Sequence, residues 1–79
     1  MTARVYLLFD LVNAEGAQVA RKLQEQAGVV AVDVLEGPPD IVIVAEAAGR
    51  QELADYVMKI LGLLDGVIDN VRVLPVRGT

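Results

Sequence analysis

One pattern constrains the fold more than any other, and it occurs twice, once in each half of the 79-residue chain. Each half contains an apolar strand segment, a segment with helical spacing and a second strand segment. The predicted strands cover residues 3–12, 29–35, 41–45 and 67–76, and the predicted helices cover residues 14–27 and 50–63. With right-handed crossovers, this βαββαβ order predicts a single α+β domain over residues 1–79. The expected architecture is ferredoxin-like, a four-stranded antiparallel sheet with two helices on one face.

Apolar stripes define the inner sides of both predicted helices. Gly28 follows the first helix, at the position where a left-handed residue commonly ends a helix. Tyr56 flanks the stripe of the second helix. The stripe residues are Gly16, Val19, Ala20, Leu23 and Ala27 in the first helix, and Leu53, Val57, Ile60, Leu61 and Leu64 in the second.

Alternation within the strands predicts which residues face the helices. Successive side chains of a strand point to opposite sides of the sheet, so each strand divides into two sets. One set carries no charge and is expected to lie under the helices: Val5, Leu7, Phe9, Leu11, Val30, Val32, Val34, Ile41, Ile43, Val71 and Val73.

The other set of strand residues is also largely apolar, although an antiparallel sheet with one solvated face normally carries polar residues there. Charged members of this set, Arg4, Asp10, Asp33, Glu46 and Arg72, are expected at its rim. An apolar patch of this extent indicates a partner surface, and a second copy of the chain is the simplest partner. The predicted sheet-to-sheet dimer, of the dimeric α/β-barrel type, uses Tyr6, Leu8, Val42, Val44, Leu74 and Val76.

Composition supports self-association and excludes several functions. A domain of this size buries only about 60% of its unfolded surface, yet 54% of the residues are hydrophobic. The chain has no His, Cys or Ser, which removes the usual general base and most nucleophiles and predicts a protein that is not an enzyme. No cofactor or metal site is expected. The net charge of −4 argues against direct nucleic-acid binding.

Membrane insertion and secretion are not expected either. The sequence contains no apolar run of the roughly 18 residues that span a membrane, and no signal peptide is visible. A cytoplasmic location is the resulting expectation.

A turn of unusual composition, Glu36-Gly37-Pro38-Pro39-Asp40, separates the second and third predicted strands. Two adjacent prolines make this corner stiff and remove two backbone donors. One interpretation is a hairpin loop that sets the strand register. The other is the wall of a small-molecule site, in which Glu36 or Asp40 meets an ammonium group of a ligand.

The chain resembles the ligand-binding (RAM) domain of the Lrp/AsnC transcription regulators. The resemblance covers nearly the whole chain through "VYLLFDLV", "QAGVVAVDVLEG", "PPDIVIVAEA" and "LADYVMKILGLLDGV". The most motif-like match is Gly37 with Asp40 before the third strand; Gly28-Val29 and Asp65-Gly66-Val67 also fall at similar places. One departure is Pro39, where the family commonly has an aromatic residue.

The resemblance implies a stand-alone RAM protein without a helix-turn-helix, because the chain begins directly with the first strand. It further implies homodimers that assemble into tetramers, octamers or larger rings and that pair with full-length Lrp/AsnC regulators. An amino-acid effector would bind near the corner, at Glu36, Gly37, Pro39 and Asp40.

Three alternatives remain open at the level of sequence. An ACT-like regulatory domain shares the βαββαβ order, and Gly16 matches a glycine often found near its first helix. A small dimeric α/β-barrel enzyme would use Asp10, Asp33 or Tyr6 in a cavity between sheets. A purely structural oligomerisation module would bind no ligand.

Overall fold

The computed structural model describes residues 2–12 and 16–77 of the chain. Its elements are β1 (Ala3–Leu11), α1 (Gly16–Gln24), β2 (Val29–Val34), β3 (Ile41–Ala47), α2 (Arg50–Leu63) and β4 (Ile68–Pro75). The four strands form one antiparallel sheet in the order β2-β3-β1-β4, with β1 and β3 in the middle. This arrangement confirms the predicted α+β ferredoxin-like fold.

Local chemistry accounts for the ends of the helices. The predicted bounds of α2 are confirmed. In its first turn, Oε1 of Glu52 accepts a 3.1 Å hydrogen bond from the N–H of Ala48, the residue before the N-cap Gly49. Helix α1 ends at Gln24, three residues earlier than predicted, and the first two residues of the predicted helix lie outside the described residues. Gly28 has φ +86°, and the Tyr56 ring packs where its Cβ would stand. A side chain at residue 28 would therefore be both strained and blocked.

The hydrophobic core lies between the sheet and the two helices. The central strands contribute residues with no exposed surface, because both their neighbours in the sheet and the helices cover them. Tyr56, Val57 and Leu61 pack against this core from α2. The buried hydrophobic residues are Val5, Leu7, Phe9, Val19, Ala20, Leu23, Ile41, Ile43, Ala45, Ala47, Leu53, Ile60 and Leu64.

Three of the strand residues predicted to lie under the helices are exposed instead. The prediction for Val30, 58% exposed, is wrong because the β2–β3 register shifts between Val29 and Ala31 and turns Val29 towards the core. Val34 and Val73 pair with the buried Ile41 and Leu7, so they lie on the expected side of the sheet. They are nevertheless 51% and 43% exposed, because β2 and β4 are edge strands.

The opposite side of the sheet, called here the helix-free face, carries the second predicted set. Across the strands, Val44 and Leu74 are both partners of Tyr6, and Val42 and Arg72 are both partners of Leu8. Tyr6, Leu8, Val42 and Val44 are half-buried in the single chain, and Leu74 is 40% exposed. The register thus places these apolar residues in one patch, whose use as a dimer interface stays a prediction.

The helices of the described part of the chain include none with the length and apolar character needed to cross a lipid bilayer.

Candidate functional site

The corner of residues 36–40 lies at the end of the sheet where β1 ends and β3 begins. Two backbone hydrogen bonds close it onto the sheet. The Leu35 N–H donates to the Asp40 carbonyl at 2.8 Å, and the Asp40 N–H donates to the Phe9 carbonyl at 2.7 Å. The corner is therefore attached both to the residue that follows β2 and to β1.

The Asp40 side chain makes a third contact with the sheet. Its Oδ2 accepts a partly buried hydrogen bond from the Leu11 N–H at 2.8 Å. This bond falls where the β1–β4 register shifts between Asp10 and Leu11, so the carboxylate receives a donor at the irregular end of the ladder. A charged acceptor makes this bond stronger than a neutral one. Asp40 thereby holds the end of β1 in place.

The position of the Asp40 side chain requires a glycine at residue 37. Gly37 has φ +58°, in the left-handed region that favours glycine. A Cβ at residue 37 would also collide with Oδ1 of Asp40. The spacing Gly-x-x-Asp therefore has a local physical basis, because the glycine leaves room for the carboxylate that reaches β1.

A cleft of about 220 Å³ opens beside the corner, on the helix-free face. The two prolines of the corner form one wall. Strands β1 and β4 supply the remainder, with charges of both signs. The cleft is lined by Leu8, Asp10, Pro38, Pro39, Asn70 and Arg72.

The four predicted ligand residues have different positions relative to this cleft. Pro39 lines it, whereas Gly37 and Asp40 build the turn behind it and Glu36 is exposed outside its lining. Their role in binding stays a prediction. The sequence predicts Asp10 among the rim charges, and in the cavity of the enzyme alternative, but does not join it to the corner.

The charges of the cleft are arranged diagonally across two strands. Asp10 is the register partner of Asn70, and Leu8 is the partner of Arg72, so Asp10 and Arg72 are diagonal neighbours on one face. Within residues 2–12 and 16–77, neither side chain forms an ion pair or a hydrogen bond.

A paired set of charges at the other end of the same face provides a contrast. Arg4 and Glu46 are direct partners on β1 and β3 and form an ion pair, with Nε of Arg4 2.6 Å from Oε2 of Glu46. The hydrogen bond to Glu46, with a smaller contribution from Tyr6, raises the pKa of Arg4 above its ordinary value. Arg4, like any arginine, is charged at neutral pH, and its charge has a partner in Glu46.

A larger groove of about 770 Å³ lies at the opposite end of the molecule, between the start of α2 and the end of β4. Its lining is mostly apolar and includes Ala54, Val57, Met58 and Val73. It exists because β4 is an edge strand that the helices leave partly uncovered. The groove has no acidic residue in its described lining, so that lining offers no counter-charge to an ammonium group.

Comparisons with known proteins identify the fold. No family model and no curated protein matches the chain. Among solved structures, the hypothetical protein PHS023 from Pyrococcus horikoshii has a TM-score of 0.84 at 14% identity, covering 98% of this chain and 92% of that one. TTHA0845 from Thermus thermophilus has a TM-score of 0.81 at 18% identity, covering 98% and 95%.

A transcriptional regulator is also among the similar structures. NMB0573 from Neisseria meningitidis, solved in complex with L-Met, has a TM-score of 0.69 at 14% identity. The match covers 96% of this chain and 50% of the regulator. The fold of this chain therefore occurs both as nearly a whole protein and as one half of a regulator.

Proposed function

We propose that this protein is a non-enzymatic regulatory domain of the Lrp/AsnC type, which self-associates through its helix-free face and binds an amino acid beside the corner of residues 36–40. The observation that carries the proposal is the position of the cleft: it adjoins the corner at one end of an apolar face that lacks a covering layer in the described chain.

Self-association is supported by the apolar rows on the helix-free face. Tyr6 and Leu8 on β1, with Val42 and Val44 on β3, form a central patch without a charge. A second copy related by a two-fold axis presents the same patch, so the two sheets can cover each other. The proposed unit is a homodimer, which assembles further into tetramers, octamers or larger rings.

The amino-acid proposal is supported by the L-Met complex of the regulator that shares this fold. In the proposed site, Glu36, Gly37, Pro39 and Asp40 form the corner that bounds the ligand. The same similarity supports a role in transcription regulation, with a full-length Lrp/AsnC regulator as a partner. Direct binding of nucleic acid is not proposed, because the net charge of the chain is −4.

The enzyme alternative receives less support from the arrangement of its candidate residues. Asp10 lies on β1 and Asp33 on the edge strand β2, with β3 between them. The two carboxylates are therefore on non-adjacent strands rather than side by side as an acid–base pair.

A thermal-shift screen tests the proposal. Each standard amino acid is added at millimolar concentration to the purified protein, and melting temperature and native mass are recorded. A ligand bound only by the folded assembly stabilises it by about 2.7 kcal/mol at a hundredfold excess over its dissociation constant. We expect at least one amino acid to raise the melting temperature or change the copy number. If no amino acid does either, the proposed function is wrong.

A further inference from the structure

We propose that Asp10 and Arg72 are the groups that recognise the amino acid in the cleft, with Asp10 binding its ammonium group and Arg72 its carboxylate. This inference rests on the proposed function and assigns the polar contacts of that same site.

The first support is the placement of two charges of opposite sign that are unpaired within the described chain. Diagonal partners on neighbouring strands are close enough for long side chains to meet, yet Asp10 and Arg72 form no ion pair with each other. The cleft that they line holds about 220 Å³. A zwitterion carries an ammonium and a carboxylate on one carbon atom and can complement both side chains, and the arginine fork suits a carboxylate.

The second support comes from the contacts of Asp40, the other carboxylate at this end of the sheet. One of its oxygens accepts the Leu11 N–H, and the other lies against Gly37. Asp40 does not line the cleft, whereas Asp10 does and is half-buried. Asp40 therefore acts as a positioning residue: it holds the β1 end that carries Asp10, and Asp10 is left to bind the ligand.

The size and lining of the cleft indicate the class of amino acid. Ligand pockets usually measure about 300–1,000 Å³, so a cleft of about 220 Å³ fits a compact ligand. Leu8, Pro38 and Pro39 offer apolar contacts, and Asn70 adds an amide. These contacts favour a small or medium apolar side chain over a charged one.

The position of the cleft connects binding with assembly. Leu8 belongs both to the cleft lining and to the predicted dimer interface. A ligand in the cleft therefore lies at the border of that interface, where a second copy can contact it. Binding that requires the assembled state stabilises the assembly by mass action.

The test is a set of thermodynamic cycles between ligand and protein, measured by isothermal titration calorimetry. The probe is the amino acid that gives the largest thermal shift, together with its N-acetyl derivative, which lacks the ammonium, and its amide, which lacks the carboxylate. The proteins are the natural sequence, Asp10→Asn, Arg72→Gln and the control Ala54→Arg, which fills the larger groove at an exposed helical position.

We expect Asp10→Asn and Arg72→Gln each to weaken binding of the amino acid about tenfold or more, because each removes a charge-assisted contact. Acetylation should then cause little further loss in Asp10→Asn, and amidation little further loss in Arg72→Gln. Ala54→Arg should bind like the natural protein. Without ligand, the melting temperatures of Asp10→Asn and Arg72→Gln should be close to that of the natural protein, because both charged side chains lack partners in the described chain.

Several results would overturn this assignment while leaving the proposed function intact. One is binding that survives both charge substitutions and is lost in Ala54→Arg, which would move the site to the larger groove. A second is equal loss on acetylation in the natural protein and in Asp10→Asn. A third is dissociation of the ligand-free assembly in either variant, which would mean that the two charges join copies of the chain instead. Absence of any amino-acid binding to the natural protein would instead contradict the proposed function itself.

Discussion

The two faces of the sheet are made by the same strands but differ in how they are covered. On β3, Ile43 has no exposed surface, whereas its neighbour Val44 is half-buried. On β1, Leu7 has no exposed surface, whereas Leu8 is half-buried. Neighbouring residues in a strand point to opposite sides of the sheet. The difference in exposure within each pair is therefore the difference between the face under the helices and the face that no helix covers in the described chain.

This difference shows which side of the sheet the described chain covers with its own helices. Both helices pack on one side, and the core they enclose has the same composition as an ordinary protein interior. The other side is equally apolar in its centre, but no element of the described chain covers it. The hydrophobic residues, 54% of the chain, therefore form two apolar interfaces. One lies within the chain, and we propose that the other lies between copies.

The largest effect is expected from Val44→Lys, at the centre of the helix-free face. In the proposed dimer this change buries an ammonium without a partner, which costs several kcal/mol. We expect loss of the assembled species and aggregation or unfolding at micromolar concentration, measured by light scattering. The matched control is Met58→Lys, because Met58 is 69% exposed on α2 and accepts a charge in water. Equal behaviour of the two variants would contradict a special role for the helix-free face.

Ile43→Ala tests the face under the helices. We expect it to destabilise the fold without dissociating the assembly. Truncation of a fully buried isoleucine costs about 2–5 kcal/mol through lost burial and the cavity left behind. We expect a lower free energy of unfolding in urea and an unchanged mass of the folded species. A change in copy number with little loss of stability would show that the two faces have been assigned the wrong way round.

An intermediate loss of stability is expected when Asp40 is substituted, because this residue attaches the corner to β1. Asp40→Ala leaves the partly buried Leu11 N–H without its acceptor, which costs about 1–3 kcal/mol. Asp40→Asn keeps an oxygen acceptor and should cost clearly less. Urea denaturation of both variants gives the comparison. If both lose the same stability, the carboxylate charge rather than the hydrogen bond is what matters.

The smallest effect is expected from Glu46→Gln, at the rim of the helix-free face. The Arg4–Glu46 pair is exposed, and exposed ion pairs contribute little and are screened by salt. An arginine with its ordinary pKa is already charged throughout neutral pH, and the hydrogen bond to Glu46 only raises the pKa of Arg4 further. Removing the pair should therefore change the melting temperature by a similar small amount across neutral pH. Melting curves at low and high salt check this. A large loss that persists in high salt would show that the pair is buried by a partner.

Much of this fold could be predicted because its signals are local. The period of the apolar residues gave the bounds of α2, and Gly28 was correctly expected to have a left-handed conformation. Alternation along β1 and β3 separated the two faces correctly, since both strands are regular where they pair with each other. Local patterns do not show how far the helices extend across a sheet, which is why Val73 was assigned to the core although it is exposed.

The features that sequence reasoning missed depend on contacts between distant residues. The hydrogen bond from Leu11 to Asp40 joins residues 29 positions apart, and no spacing rule indicates it. The shift at Val29 in the β2–β3 register has no sequence signal either, because Val30 is as apolar as its neighbour. The cleft brings three separate segments together. From the sequence, the corner is one candidate site and Asp10 belongs to the enzyme alternative, but no local pattern joins them to each other or to Arg72.

The central claim is that the helix-free face is covered by a second copy of the chain, and the mass of the protein in solution tests it most directly. Light scattering on the purified chain at micromolar concentration gives that mass without labels or ligands. The account predicts a folded species of at least twice the 8.4 kDa chain mass. A folded, monodisperse species at 8.4 kDa would contradict it, because the apolar centre of the sheet would then remain in water.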